Sequence, residues 1–172
     1  IRASAFVEST DAFTQADTVL LYMPMKQEAD CLPLIASAFQ KNKAVAIPRV
    51  IPGTSSMDFY LLKSTQSLEM QTEAGGWGIR EPLTTLDLFV PEKACGKLCI
   101  IVPGVAFSKT GARLGHGKGY YDRYFERLNR SSAYTARLGF CLDVQIAGHI
   151  PTDHYDIPMH AVITESGCVF KA

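Results

Sequence analysis

Residues 97–128 constrain the fold more tightly than any other stretch. Lys97-Leu98-Cys99-Ile100-Ile101-Val102 reads as a buried strand that ends at Pro103-Gly104. A short loop leads to Arg113-Leu114-Gly115-His116-Gly117-Lys118-Gly119-Tyr120-Tyr121-Asp122-Arg123, in which three glycines alternate. A helical pattern begins at once: from Tyr121, apolar residues recur at Tyr124, Phe125 and Leu128, with Asp122, Arg123, Glu126 and Arg127 between them. The order is therefore strand, loop, glycine-rich turn, helix.

Backbone N–H groups at a helix start have no intrahelical partner, and the helix dipole favours an anion there. Glycines let that backbone approach a ligand with no Cβ in the way. Lys118 adds a full positive charge, and Arg113 can fork onto two oxygens. The stretch reads as a phosphate cradle, with a plain tight turn as the simpler alternative. It is not a Walker A loop, because Gly111 and Gly117 have five residues between them and Gly119 stands where a hydroxyl is needed. The alternate glycines also miss the dinucleotide fingerprint. A helix terminus contributes at most about 2 kcal/mol to anion binding, whereas a Kd of about 0.1 mM needs roughly 5.5 kcal/mol. Charge-assisted contacts from Lys118 and Arg113, at about 1.5–3 kcal/mol each, could supply the rest. Asp122 falls in the first helical turn, where it complements the dipole or, beside a polyphosphate, calls for a bridging magnesium. Asp156 lies in an extended loop before Pro158 that could aim a second carboxylate inward.

Other segments extend the α/β alternation. Residues 1–13 suit a helix and 18–23 a strand. Asp30 is a plausible N-cap for a helix with Pro33 in its first turn, stopping near Lys41-Asn42. Strands are predicted over 44–47, 57–62, 136–140, 161–164 and 168–170, with a helical turn over 142–148. Residues 68–91 are irregular, and a loop that long in a small domain is usually functional or disordered. The only tryptophan, Trp77, lies there between two glycines and suits either the core or a flat ligand surface. These elements predict a three-layer α/β/α domain with a mainly parallel sheet, binding ligands beyond the strand carboxyl ends.

Charge and cysteine content narrow the function. Lys+Arg and Asp+Glu both number 17, so neither nucleic acid nor an anionic membrane is expected as the main partner. Five scattered cysteines lack zinc-site spacing and read as reduced thiols of a cytoplasmic protein. His154 and His160 with Asp153 could mimic a metal cluster, but solvated loop residues are the simpler reading.

Pro103-Gly104-Val105-Ala106-Phe107 followed by Arg113 to Arg123 resembles the signature of the 5-formyltetrahydrofolate cyclo-ligase (methenyltetrahydrofolate synthetase) family. Leu21-Tyr22-Met23-Pro24 with Glu28, Ile47-Pro48-Arg49, Trp77 to Pro82, and Asp156-Ile157-Pro158 follow suit. The resemblance implies a fold similar to sugar-phosphate isomerase and CoA-transferase-like domains. It also implies an ATP- and Mg2+-dependent ligase of one-carbon metabolism. Such an enzyme cyclises 5-formyltetrahydrofolate to 5,10-methenyltetrahydrofolate through phosphorylation of the formyl oxygen, releasing ADP and phosphate.

The same resemblance assigns residues. ATP falls to Arg113, Leu114, Gly115, His116, Gly117, Lys118, Gly119, Tyr120 and Tyr121, of which Arg113, Lys118 and Tyr121 serve the chemistry. The folate falls to Glu28, Trp77 and the stretch His116, Gly117, Lys118, Gly119, Tyr120. Magnesium falls to Asp122 and Asp156. At position 160 many relatives carry Asp, so His160 departs from the family pattern and speaks against a metal role there. Residues 1–172 are expected to form one domain and a monomer, lacking the N-terminal basic helix with which relatives begin. Two other classes stay open from the residues alone. A non-catalytic sensor of phosphorylated ligands needs only the cradle, and a sugar-phosphate isomerase needs a general base at a sugar carbon.

Overall fold

The structure, a computed structural model, describes residues 2–153 and 156–172, without the side chains of Arg2 and Trp77. An eight-stranded sheet forms the middle layer. Its strands are β1 Thr18–Leu20, β2 Ala44–Val50, β3 Met57–Leu61, β4 Leu88–Phe89, β5 Lys97–Val102, β6 Tyr134–Phe140, β7 Ala161–Thr164 and β8 Gly167–Lys171. They lie in the order β8-β7-β6-β5-β1-β2-β3-β4. The central run β7-β6-β5-β1-β2 is parallel. The outer strands β8, β3 and β4 pair antiparallel with their neighbours.

Period-2 alternation divides each central strand between two cores. Val19, Cys99, Ile101, Leu138 and Phe140 face one side, with Val7, Phe13, Leu34 and Ala38 of the helices α1 Arg2–Glu8, α2 Asp11–Thr14 and α3 Pro33–Gln40. Leu20, Leu98, Ile100 and Val102 face the other, against Tyr124, Phe125 and Leu128 of α4 Tyr120–Leu128. Helices thus cover both faces, as the strand pattern predicts. Phe59 and Tyr124 pack with ring centroids 4.7 Å apart. Arg127 clamps α4 to the sheet edge, its Nε donating to Glu92 at 2.7 Å and its Nη1 to Asp58 at 2.7 Å.

Several boundaries differ from the sequence reading, each for a local reason. The first helix breaks at Ser9-Thr10. Thr10 Oγ1 donates to the Val7 carbonyl and accepts from the Phe13 N–H, ending one helix and capping the next. Asp30 does not cap α3, whose N-cap is Leu32; its Oδ1 accepts from the Leu32 N–H at 3.0 Å in a turn two residues long. β1 stops at Leu20, so Tyr22 and Met23 leave the sheet. The irregular stretch contains a hairpin of Thr72–Ala74 with Arg80–Pro82. Within it Arg80 and Glu81 do not pair with each other. Arg80 donates to Thr72 Oγ1 and its carbonyl, while Glu81 lies 3.8 Å from Arg49. The turn over 142–148 is a single 3-10 turn, Asp143–Gln145, followed by a short strand Ile146–Ala147.

Buried Lys43 links α2 to β2. Its Nζ donates to the carbonyls of Thr14 at 2.9 Å and Ala16 at 2.6 Å, just beyond the helix end. Lys43→Met keeps the stem's volume but leaves those carbonyls without their donor. It is expected to lower unfolding free energy by about 1–3 kcal/mol, read as a lower urea midpoint at unchanged m-value. An unchanged midpoint would show that water replaces the ammonium without loss.

Candidate active site

The glycine turn is set by a small sheet that sequence periodicity does not reveal. Ala106–Ser108 pairs antiparallel with Arg113–Leu114 and parallel with Ile146–Ala147. Ser108 Oγ accepts from the N–H groups of Thr110 and Ala112, closing the hairpin. The chain then enters the turn. Gly117 and Gly119 adopt φ +77° and +65°, the left-handed region that a Cβ disfavours. Gly119 is the N-cap of α4, and no side chain caps it. The helix start is therefore open to water or a ligand. Arg123 braces the turn from the first helical turn, Nη2 donating to the Lys118 carbonyl and Nε to the Ser55 carbonyl at 2.6 Å.

Two cavities open on this turn. The first, about 510 Å³, is polar and runs over Gly115 to Asp122, with Arg113, Asp153 and Asp156 around it. Arg113 Nη2 pairs with Asp122 Oδ2 at 2.8 Å, and only 8% of the arginine side chain is exposed. The guanidinium also lies 5.5 Å from the Tyr121 ring centroid. Arg113 Nε and the Tyr121 hydroxyl are buried with no hydrogen-bond partner among the described residues. Burial pushes the Tyr121 phenol far above its ordinary range, against the opposing pull of Arg113, so it stays a donor. Asp156 Oδ2 accepts from the Asp153 N–H at 2.9 Å.

A second cavity, about 340 Å³, is largely apolar, with Met23, Met25, Val50 and Ile79 among its walls. Glu28 stands in it, Oε2 accepting from the Met25 N–H at 2.9 Å. Burial raises the Glu28 carboxyl, partly offset by that hydrogen bond and by nearby His116. Tyr22, whose hydroxyl donates to the Ala29 carbonyl, forms the floor. Pro103, His116, Lys118, Tyr120 and Tyr121 line both cavities, so the two spaces meet at the glycine turn. Pro103, just after β5, borders both cavities, and the apolar one also meets Tyr22 and Met23 after β1 and Pro48 and Val50 at the carboxyl end of β2.

Most of the residues singled out in the sequence converge here. Gly115 to Tyr121, Arg113, Asp122 and Asp156 line the polar cavity, and Glu28 the apolar one. Leu114 does not line either cavity; its side chain is exposed, and its carbonyl accepts from the Val105 N–H at 2.7 Å. Arg113 is less available than its sequence position suggests, since one arm of its fork is held by Asp122. The Trp77 side chain and His154 lie outside what the structure describes, although Gly76 and Ile79 beside Trp77 wall the apolar cavity. His160 stands elsewhere, its Nδ1 accepting from the Arg137 N–H at 3.0 Å. Sequence reasoning missed Arg123 and Glu126 as lining residues and read Asp153 as a solvated loop residue, whereas it borders the polar cavity.

Among the described residues no group of three His, Cys, Asp or Glu side chains is placed to hold a metal ion. Magnesium asks less, taking one or two carboxylates with phosphate and water oxygens. The hard oxygens of Asp122 and Asp156 on one cavity suit that ion.

A three-layer α/β domain with joined polar and apolar cavities at the carboxyl end of its sheet belongs to the class of small-molecule enzymes. More particularly, the chain belongs to the 5-formyltetrahydrofolate cyclo-ligase family, whose profile matches residues 2–165. It is 38% identical over 156 residues to a "Probable 5-formyltetrahydrofolate cyclo-ligase" of Schizosaccharomyces pombe, covering 85% of this chain and 74% of the relative. The Escherichia coli K12 5-formyltetrahydrofolate cyclo-ligase is 31% identical over 151 residues, 88% of this chain and 79% of its own. The solution structure of Aquifex aeolicus 5,10-methenyltetrahydrofolate synthetase superposes with a TM-score of 0.74 at 31% identity, covering 97% of this chain and 78% of that one.

The Glu28 shift carries a stability consequence. A carboxyl raised on folding favours the protonated folded state, so its contribution is present below the unfolded pKa and lost as pH rises through the folded value. Glu28→Gln, which can still accept from Met25, is expected to be more stable than the wild type at pH 8. The difference should vanish near about pH 4. Urea midpoints at the two pH values test this, and equal midpoints at pH 8 would refute it.

Proposed function

We propose that the chain catalyses the ATP- and Mg2+-dependent cyclisation of 5-formyltetrahydrofolate to 5,10-methenyltetrahydrofolate, with release of ADP and phosphate. The observation that carries this reading is the meeting of a charged, glycine-floored cavity, with Arg113, Lys118 and Arg123 among its walls, and an apolar, carboxylate-bearing one at His116, Lys118, Tyr120 and Tyr121. A polyphosphate suits the first space and a pteridine the second. The reacting ends then meet at the shared wall.

A formamide oxygen is a poor leaving group. Its attack on the γ-phosphorus of ATP breaks the bond to the bridging oxygen and frees ADP. The neighbouring amine of the folate then attacks the activated formyl carbon, loses its proton, and the C–O bond breaks to release phosphate. Such chemistry asks for positioning and charge stabilisation more than covalent help. Lys118, the glycine amides and Arg113 would neutralise the transferring phosphoryl group. Arg113 Nε and the Tyr121 hydroxyl, buried with no partner among the described residues, are two donors that a ligand oxygen would satisfy. Asp122 and Asp156 would hold the magnesium ion, which supplies charge neutralisation between carboxylates and polyphosphate. Glu28 would accept from pteridine N–H groups, with Trp77 and Tyr120 as flat walls. Leu114 would contribute through its backbone alone.

We further infer a cytoplasmic monomer acting on small molecules, with neither nucleic acid nor membrane as partner. All five cysteines are unpaired, as suits a reducing compartment, and both cavities are built from one chain. Among the described residues no helix is long and apolar enough to cross a membrane.

The test mixes purified protein with 5-formyltetrahydrofolate and Mg-ATP and follows the near-ultraviolet absorbance of the methenyl product. Product is expected only with ATP and magnesium together, and Asp122→Ala is expected to lower kcat/KM by about 10²–10³. Folded wild-type protein that makes no product would refute the reading. Full activity in excess chelator would refute the metal role.

A further inference from the structure

The outer wall of the apolar cavity is the hairpin Thr72–Ala74 with Arg80–Pro82, joined through the turn Gly76–Gly78. Gly76, Ile79 and Glu81 face the cavity from it. An isolated two-stranded hairpin is marginal in water, and this one carries an added fault. Its register sets Glu73 directly opposite Glu81, and like charges at opposed positions weaken a strand pair. The Glu81 side chain is 14% exposed and the Glu73 side chain 49%, so water screens that repulsion only in part.

Arg49 on β2 answers both weaknesses. Its Nη1 donates to Glu73 Oε1 at 2.6 Å and to the Pro82 carbonyl at 2.7 Å. Its Nε lies 3.8 Å from Glu81 Oε2. One guanidinium therefore holds both strands and both carboxylates, a task for a planar fork rather than an ammonium. Among the described residues, the other side-chain ties hold the hairpin's base. Gln71 bonds the backbone of Lys63 and Gln66, and Arg80 bonds Thr72 and the Glu69 carbonyl. Pro48 and Val50 on either side of Arg49 line the apolar cavity, whereas Arg49 does not. Whatever Arg49 does to a ligand there, it does through the hairpin.

We propose that Arg49 is a positioning residue that latches this hairpin over the apolar cavity and so sets affinity for the pteridine substrate, leaving nucleotide binding unchanged. The substrate named rests on the function proposed above; the latch itself does not. Loss of the latch removes binding made equally in ground and transition states, which raises KM without lowering kcat.

The experiment compares wild type, Arg49→Ala, Arg49→Lys and Arg49→Ala/Glu73→Gln. It measures kcat, the KM for 5-formyltetrahydrofolate, the KM for ATP, and acrylamide quenching of Trp77, the only tryptophan, without ligand. Arg49→Ala is expected to raise the folate KM by about tenfold or more while the ATP KM and kcat stay within about twofold. Quenching should rise in the same variant, and Arg49→Lys should be intermediate. Adding Glu73→Gln removes the opposed charge and should recover much of both changes, which a lost direct contact with ligand would not. Unchanged quenching in Arg49→Ala overturns the latch. An equal rise in both KM values, or no recovery with Glu73→Gln, overturns it too. If the wild type turns over no 5-formyltetrahydrofolate, the functional reading falls, while the quenching and its recovery still decide the latch.

Discussion

Gly119 turns the chain through φ +65°, and the direction of helix α4 follows from that one left-handed residue. Because the N-cap has no side chain, the helix start stays open to the polar cavity. Because its φ is positive, Lys118 and Tyr120 leave the turn on courses that let both line the two cavities. The same geometry brings Asp122, in the first turn, within 2.8 Å of Arg113 on the preceding strand. An L-residue here costs about 1–2 kcal/mol in backbone energy alone. Its Cβ would also meet the Arg123 guanidinium at 3.0 Å, the group that braces the turn. Helix direction, cavity junction and ion pair therefore share one dependence.

The electrostatics around that turn favour a bound state over an empty one. Arg113 and Asp122 satisfy each other in part, but Arg113 Nε and the Tyr121 hydroxyl are buried without acceptors among the described residues. Each such group costs about 1–3 kcal/mol relative to a paired one. Glu28 adds to this, since its burial opposes the ionised form. Sites that hold unsatisfied donors and a desolvated carboxylate trade stability for preorganisation. The compensation lies in the two cores, where Phe59, Phe107, Phe125 and Phe140 are fully buried.

What the sequence revealed and concealed follows from the length of each signal. Strands such as Lys97–Val102 and the stripe Tyr124, Phe125, Leu128 span enough residues for periodicity to speak, so the layers and the strand–turn–helix core were legible. The alternating glycines located the cradle because they constrain the backbone directly. Strands of two or three residues, such as Arg113–Leu114 and Ile146–Ala147, carry no period, and the small sheet they build was hidden. The hairpin around Trp77 read as irregular for the same reason. Pairings across long separations were equally silent: nothing near Arg49 in sequence announces Glu73 or Glu81, and nothing near Arg127 announces Asp58. Leu114 followed its neighbours into the ligand assignment, although alternation along its short strand turns its side chain away from the cavity.

The pair of cavities also bears on which class of activity the cradle serves. A sensor of phosphorylated ligands has use for the polar space but none for an adjoining wall of Met23, Met25, Val50 and Ile79. A sugar-phosphate isomerase would need polar groups along the sugar and a base with a pKa near its working pH. Here the space next to the cradle is apolar, and the buried Tyr121 is pushed away from any base role. A flat heteroaromatic ring with a polar N–H edge suits that space: thioether and aliphatic walls for its faces, and the Glu28 carboxylate for its edge. On the proposed reading, the joint between the cavities is where a formyl oxygen on such a ring would approach a terminal phosphate. That makes the shared residues His116, Lys118, Tyr120 and Tyr121 the ones on which the ligase reading, rather than its rivals, depends.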